Sequence, residues 1–244
     1  MKSPLLLLPL GLFLSAGFAF AEFREARVTQ VIQDVKILPG QAEPRPAVVN
    51  DPVSEGTAVR TGVESRTELT FVDLTIARLG ANTIFSFDKG ERAIDLGSGA
   101  VLLRVPKNSG GAKINTAAVT AAITGTTVLA EYNCPNAPVK HERATCPDAL
   151  FKFIAIEGSM RVCKNGSVTE CVDLLPGQML VGTADKPFSE PVDVDLERLL
   201  ETSLLIQGFP PLPSDDLMQA SARDRKSTRL NSSHLRVSRM PSSA

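Results

Sequence analysis

Short runs that alternate apolar and polar residues recur along most of this chain, and each ends at Gly, Pro, Asn or Asp. Arg27–Leu38 sets Val28, Val31, Ile32, Val35 and Ile37 on a strand pattern that stops at Pro39-Gly40. Gln41–Pro52 holds three prolines and reads as a loop. Gly56–Gly62 is a short strand between glycines, and Glu68–Val72 has the period of two of a half-buried strand. Asp73-Leu74-Thr75 forms a tight turn into Ile76–Leu79, which Gly80-Ala81-Asn82 breaks. Ile84–Phe87, Ala93–Leu96 and Ala100–Val105 follow as further strands.

Ala112–Leu129 lies at the centre of this pattern. Within it Thr116–Thr124 admits two readings. Alanine favours a helix, but the interleaved Val, Ile and Thr and the closing Gly125 favour a strand, the reading adopted. Phe151–Ile156 is another strand, turned at Glu157-Gly158. Ser159–Cys163 and Thr169–Leu175 face each other around Asn165-Gly166, a strong hairpin signal. Pro176-Gly177 turns into Gln178–Val181, and Pro187–Pro191 closes the strand region. Short strands at this spacing predict an all-β module, whether roll, sandwich or solenoid-like. One amphipathic helix is expected after it. Val192–Ile206 carries Leu196, Leu199, Leu200 and Leu204 at helical spacing, with acids near its start. Gly208 ends that helix, and Pro210-Pro211-Leu212-Pro213 reads as a linker leading onward.

The two ends differ from the middle. Lys2, the apolar run Leu5–Phe20 and the small-x-small triplet Ala19-Phe20-Ala21 form a signal-peptide pattern. The run falls short of the roughly 20 residues needed to span a bilayer. Cleavage after Ala21 is expected, leaving no membrane span. At the other end Asp224–His234 reads DRKSTRLNSSH. This is the codon-by-codon translation of a common sequencing adapter. Residues 224–244 are therefore set aside as an adapter-derived tail, as a fusion scar would be. The expected organisation is a signal peptide over 1–21, a β domain over 22–186, a helix and Pro-rich linker over 187–223, and the tail.

Charge then reads differently. The whole chain has 26 Lys+Arg and 27 Asp+Glu; without Lys2, the tail's five basic residues and Asp224, 20 basic and 26 acidic residues remain. A mildly acidic domain with no aromatic–basic interleaving lacks the footprint of a nucleic-acid binder. With no Trp and one Tyr, the core must be built from Val, Ile, Leu, Ala and Phe.

An ordered set of motifs carries a family resemblance. In order they are Gly56–Gly62, Ser65–Asp73, Arg78–Thr83, Leu96–Gly99, Val105-Pro106-Lys107, Ile123–Thr127, Ile156–Val162 and Leu175–Gln178. Over Val28–Gly182 the chain resembles the FecR domain, the periplasmic all-β part of iron-transport sigma regulators, which is also found in other exported proteins. Gly56, Gly62, Asp73, Gly80, Gly97, Gly125, Thr126, Gly158 and Gly177 match its motifs as structural positions. The family often has Gly-Asp where Gly56-Thr57 stands, and Asp-Gly-Ser or Asp-Gly-Thr where Asp73-Leu74-Thr75 stands. Full regulators of the family also carry a cytoplasmic anti-sigma segment and a transmembrane helix, and here only a signal peptide precedes the domain. The resemblance therefore implies a binding or signalling role outside the cytoplasm, without direct contact to a sigma factor. The expected partner is an extracytoplasmic protein or a cell-envelope component, and oligomeric state is left open.

Residues that could carry chemistry are few. Four cysteines in an exported chain, Cys134, Cys146, Cys163 and Cys171, favour disulfides. Three connectivities are possible. Local pairing, Cys134 with Cys146 and Cys163 with Cys171, closes the simplest loops, although the second pair needs a hairpin loop wider than two residues. A zinc site would need closer spacing. His141, in the Cys134–Cys146 loop, lacks the partners of a triad or metal centre. Ser109-Gly110-Gly111 reads as a plain turn. Asp73, Asp88, Glu91 and Asp95 could meet calcium but read better as a solvated face. No catalytic, cofactor-binding or metal site is assigned. The disulfide-closed loop is the expected contact surface. Two alternatives remain: a hydrolase of envelope polymer using carboxylates such as Asp73 or Glu157, and a structural module of a longer protein.

Overall fold

The computed structural model describes residues 25–40, 42–87, 92–134, 146, 148–167 and 169–237, with side chains of the last helix through 227. The expected signal peptide with Ala19 and Ala21, and Asp88, Glu91 and His141, lie outside the described residues. In chain order the strands are β1 (Glu25–Ile32), β2 (Val35–Leu38), β3 (Arg45–Pro46), β4 (Pro52–Ser54), β5 (Ala58–Thr61) and β6 (Arg66–Phe71). Next come β7 (Ile76–Leu79), β8 (Ile84–Phe87), β9 (Ala93–Arg104), β10 (Ala112–Asn115), β11 (Val119–Ile123) and β12 (Thr127–Asn133). The last strands are β13 (Leu150–Glu157), β14 (Met160–Lys164), β15 (Cys171–Leu174), β16 (Gln178–Thr183) and β17 (Val192–Asp193). Three helices follow: α1 (Leu196–Thr202), α2 (Leu204–Gln207) and α3 (Asp215–Val237).

The strands form two open layers that share one strand. The first runs β4-β1-β6-β7-β9-β12-β13-β16-β17. The second runs β3-β2-β5-β8-β9-β10-β11-β14-β15, and its β9–β10 pairing is parallel. Strand β9 passes from one layer to the other at Gly97-Ser98-Gly99, where its register with β8 shifts. Ala93–Leu96 and Ala100–Val105, expected as two strands, are thus halves of one twelve-residue strand. A glycine pair lets the backbone bend without ending the ladder. The reverse correction applies to Arg27–Leu38. It divides at Gln33, whose φ of 61° turns the chain from the first layer into the second. The loop expected over Gln41–Pro52 contributes the short strand β3 and the first residue of β4. Thr116–Thr124 supplies β11, the strand reading.

Alternation sorts the core. Val101, Leu103, Val128, Ala130, Phe153 and Ala155 face inward, between the layers, with Phe85, Ile94 and Ile114 from the second sheet. Their neighbours Leu102, Leu129, Ile154 and Ile156 point to the opposite face of the first sheet, where they pack on Leu196, Leu200, Leu205, Phe209, Leu212 and Met218. The sheet is covered on both faces here, and Ala100–Leu103 of β9 and Phe153–Ile156 of β13 are continuous apolar runs.

The covering segment departs from the single expected helix. Val192-Asp193 is strand, α1 begins with Asp195 capping the Arg198 amide at 3.1 Å, and Ser203 separates α1 from α2. The Pro210–Pro213 stretch, expected as a linker, lies on the sheet: Leu212 is buried and the Pro210 carbonyl accepts a hydrogen bond of 2.5 Å from Arg78 Nη2. Helix α3 then continues through Asp224 into the segment set aside as a tail, and Lys226 Nζ reaches Glu197 Oε2 at 2.6 Å. No helix among the described residues is long and apolar enough to cross a membrane.

Candidate functional site

Three of the sequence motifs meet at one end of the sandwich. They occupy the turns after β9, β11 and β13: Val105-Pro106-Lys107, Thr124-Gly125-Thr126 and Glu157-Gly158-Ser159. The Val105 amide donates to the Thr126 carbonyl at 2.8 Å, joining the first two turns. Gly125 has φ of 62°, and a Cβ there would stand 3.0 Å from Lys107 Cα. Gly158 has φ of 74°, and a Cβ there would lie 2.1 Å from Thr126 Cγ2. Both positions need the left-handed backbone and the missing side chain. The turns interlock because two of their members are glycine.

Helix α3 stands beside these turns and leaves a cleft of about 530 Å³, lined among others by Lys107, Gly125, Glu157, Gly158, Leu217 and Ser221. Glu157 is the buried polar group of the cleft, only 7% exposed. Strict alternation along β13 would aim it between the sheets, with Phe153 and Ala155. A bulge intervenes: Thr127 pairs with Glu157, but Val128 pairs with Ala155. Such an extra residue re-aims the side chain. Glu157 Oε2 accordingly faces Thr127 Oγ1 at 3.4 Å, on the helix side, where Thr127 Oγ1 meets Ser214 Oγ at 2.9 Å. Lys107 Nζ stands 3.5 Å from Glu157 Oε1, on a side chain that is 65% exposed. The cleft can therefore hold positive charge or hydrogen-bond donors against one recessed carboxylate. Asp224 also lines it, from the segment set aside as a tail.

The other expected positions lie elsewhere. Asp73 closes the β6–β7 turn: its carboxylate accepts from the Thr75 amide at 3.0 Å and hydroxyl at 2.8 Å, and pairs with Arg92. It does not line the cleft. Asp95 lies in β9, in register with Asn115 and Ser86. Ser109 donates to the Pro106 carbonyl at 2.8 Å within its turn. Gly56, Gly62, Gly80 and Gly177 sit at strand ends, and Gly97 at the bend of β9. The cysteines pair locally, Cys134 with Cys146 and Cys163 with Cys171. Cys163 and Cys171 are direct cross-strand partners, and Lys164 bonds Glu170 across the widened loop that this requires. Most of the Cys134–Cys146 loop lies outside the described residues. Sequence reasoning did not single out Lys107, Thr127 or Ser214 for the site. The first two belong to quoted motifs, which is the signal that marks them.

Residues 57–140 match the family model described as FecR protein. This stretch is similar to a FecR domain. Two of the three converging turns lie inside the matched stretch, and the third follows on β13, which pairs directly with β12 of that stretch. Among curated proteins none matches the chain. Two crystal structures of a candidate anti-sigma factor from Parabacteroides distasonis ATCC 8503 are similar at 15% identity and a TM-score of 0.45. The likeness covers 59% of this chain and 65% and 64% of theirs, so the chain spans a little under two thirds of their length.

Proposed function

We propose that this is an exported, non-enzymatic FecR-domain protein that binds a protein or cell-envelope partner outside the cytoplasm, and signals without touching a sigma factor itself. The observation that carries the reading is the meeting of three motif turns at one cleft, on a scaffold stapled by two disulfides. Disulfides persist in oxidising compartments and are lost in a reducing cytosol. The FecR match adds a regulatory family to that location. The Cys134–Cys146 loop remains the second surface proposed for contact.

The test is expression of the full chain, with its own leader, in a bacterial host that has a periplasm. Mass spectrometry of the product is expected to show an N-terminus after Ala21 and no free thiol. Cross-linking in intact envelopes is expected to trap a partner. A product retained in the cytoplasm with four reactive thiols overturns the proposal. The buried Glu157 in a cleft keeps one rival alive: turnover of peptidoglycan that Glu157→Gln abolishes would make the protein a hydrolase.

A further inference from the structure

The unusual group of the cleft is the Glu157 carboxylate. It is nearly buried, yet its surroundings satisfy it poorly. A carboxylate taken out of water is stabilised by short charge-assisted hydrogen bonds, about 2.5–2.7 Å from a hydroxyl and 2.7–2.9 Å from an ammonium. Here the Thr127 hydroxyl stands at 3.4 Å, and it is also 2.9 Å from Ser214. The Lys107 ammonium stands at 3.5 Å. Neither distance is that of a strong bond. The bulge in β13 is what puts the carboxylate in this position. Among the described residues, the groups around it offset the cost of its burial only in part.

The shape around it selects the kind of group that suits it. Gly125 and Gly158 open the floor of the cleft, and Leu217 and Ala220 of α3 form an apolar side wall. Leu217 is 44% exposed. A ligand with an aliphatic stem and a terminal cation would lay the stem on that wall and put the charge on Glu157. Lys107 already shows such a group approaching from the rim, on a mostly exposed side chain that can swing away. Arginine has a comparable stem; the approach of the Lys107 ammonium to Glu157 is what favours an ammonium over a guanidinium.

We propose that the Glu157 cleft is a docking site for a lysine side chain of a partner protein. Lys107 holds the carboxylate when the site is empty and is displaced on binding. This rests on the reading of the protein as an extracytoplasmic binding module, and it names the chemistry of the partner.

The test uses the full chain and the peptide Ac-Ala-Lys-Ala-NH2 as probe, followed by calorimetry or NMR titration. The norleucine peptide, with the same stem and no charge, is the control, and a glucosamine oligomer tests for a sugar amine. The lysine peptide is expected to bind at least about tenfold tighter than the norleucine peptide, and Glu157→Gln to remove that margin. Lys107→Met is expected to strengthen lysine binding, because the internal competitor is gone. This second variant lies on an exposed side chain and serves even if Glu157→Gln unfolds. Equal binding of the two peptides, or weaker binding in Lys107→Met, overturns the proposal. Glu157-dependent preference for the glucosamine oligomer overturns the assignment to lysine. These results leave export and envelope cross-linking untouched, so failure here is distinguishable from failure of the broader function.

Discussion

Arg78 Nε donates to Glu68 Oε2 at 2.8 Å, deep on the first sheet. Arg78 is 1% exposed. Its Nη1 donates to the Leu205 carbonyl at 3.1 Å and its Nη2 to that of Pro210, while its guanidinium lies 4.9 Å from the centre of the Phe209 ring. Glu68 also accepts from Thr29 Oγ1 at 2.8 Å. One arginine thus ties neighbouring strands to the segment that covers them.

Arg78→Met is expected to destabilise the protein by about 3–5 kcal/mol, because Glu68 is left buried without its cation. Glu68→Leu together with Arg78→Met is expected to recover part of that loss. Denaturant unfolding gives the energies. Hydrogen exchange should show the amides of α1, α2, Phe209 and Leu212 released before those of the sheets. If exchange accelerates equally everywhere, Arg78 does not hold the covering segment.

Gly158 and Gly166 make a controlled pair. Both have positive φ, 74° and 78°, but a Cβ at Gly158 meets Thr126 whereas one at Gly166 meets nothing within 4 Å. Gly166→Ala is expected to cost only the left-handed strain, about 1–2 kcal/mol. Gly158→Ala should cost more. Thr126→Ser, which removes the clashing methyl, should bring the two costs together. Equal costs in the unmodified background would show that the turns after β11 and β13 are not interlocked.

The elements were legible where local chemistry decided them. Asn165-Gly166 and the pattern of Phe151–Ile156 gave their hairpin and strand directly. The Cys163–Cys171 pairing followed once the loop was allowed to widen. Glycine misled at Gly97-Ser98-Gly99, since a bend inside β9 uses the same residues as a strand end. Its absence misled at Gln33, which takes a positive φ without glycine. The site was less legible for a simple reason. Glu157 reaches the cleft through a bulge, and a one-residue register shift leaves no mark in the composition of β13. The Pro-rich stretch looked like a linker because its partner, Arg78, lies 132 residues away from Pro210.

The Cys163–Cys171 bond clamps β15, which stands at the edge of the second layer with β14 as its strand partner. Replacing both cysteines by serine is expected to cost about 2–4 kcal/mol. For a protein of this size that lowers Tm by roughly 2–4 °C per kcal/mol. Faster exchange should be concentrated in the hairpin, which adds Met160, Val162 and Leu174 to a core built mostly by other strands. Peptide mapping under non-reducing conditions should recover 134 linked to 146 and 163 linked to 171. Any crossed linkage contradicts the structure.

Tyr132 gives a direct optical reading of the core. It is 1% exposed on β12, and among the described residues its hydroxyl has no hydrogen-bond partner. Burial disfavours the phenolate and raises the pKa above its ordinary value. An unfolded tyrosine titrates near pH 10. Below that pH both states keep the proton and Tyr132 adds no pH dependence. Above it the unfolded chain loses the proton first, so stability falls with rising pH until the folded pKa is passed. The chain has one tyrosine and no tryptophan, so tyrosinate absorbance reports this residue alone. Its onset should come at higher pH in the native protein than in denaturant. Tyr132→Phe should remove this alkaline loss and leave stability near pH 7 unchanged or slightly higher, because it deletes a buried hydroxyl that makes no bond. Coincident titration curves, or a loss of more than about 1 kcal/mol in Tyr132→Phe, would mean that the hydroxyl is bonded or wet, since such a loss is what an intact hydrogen bond contributes.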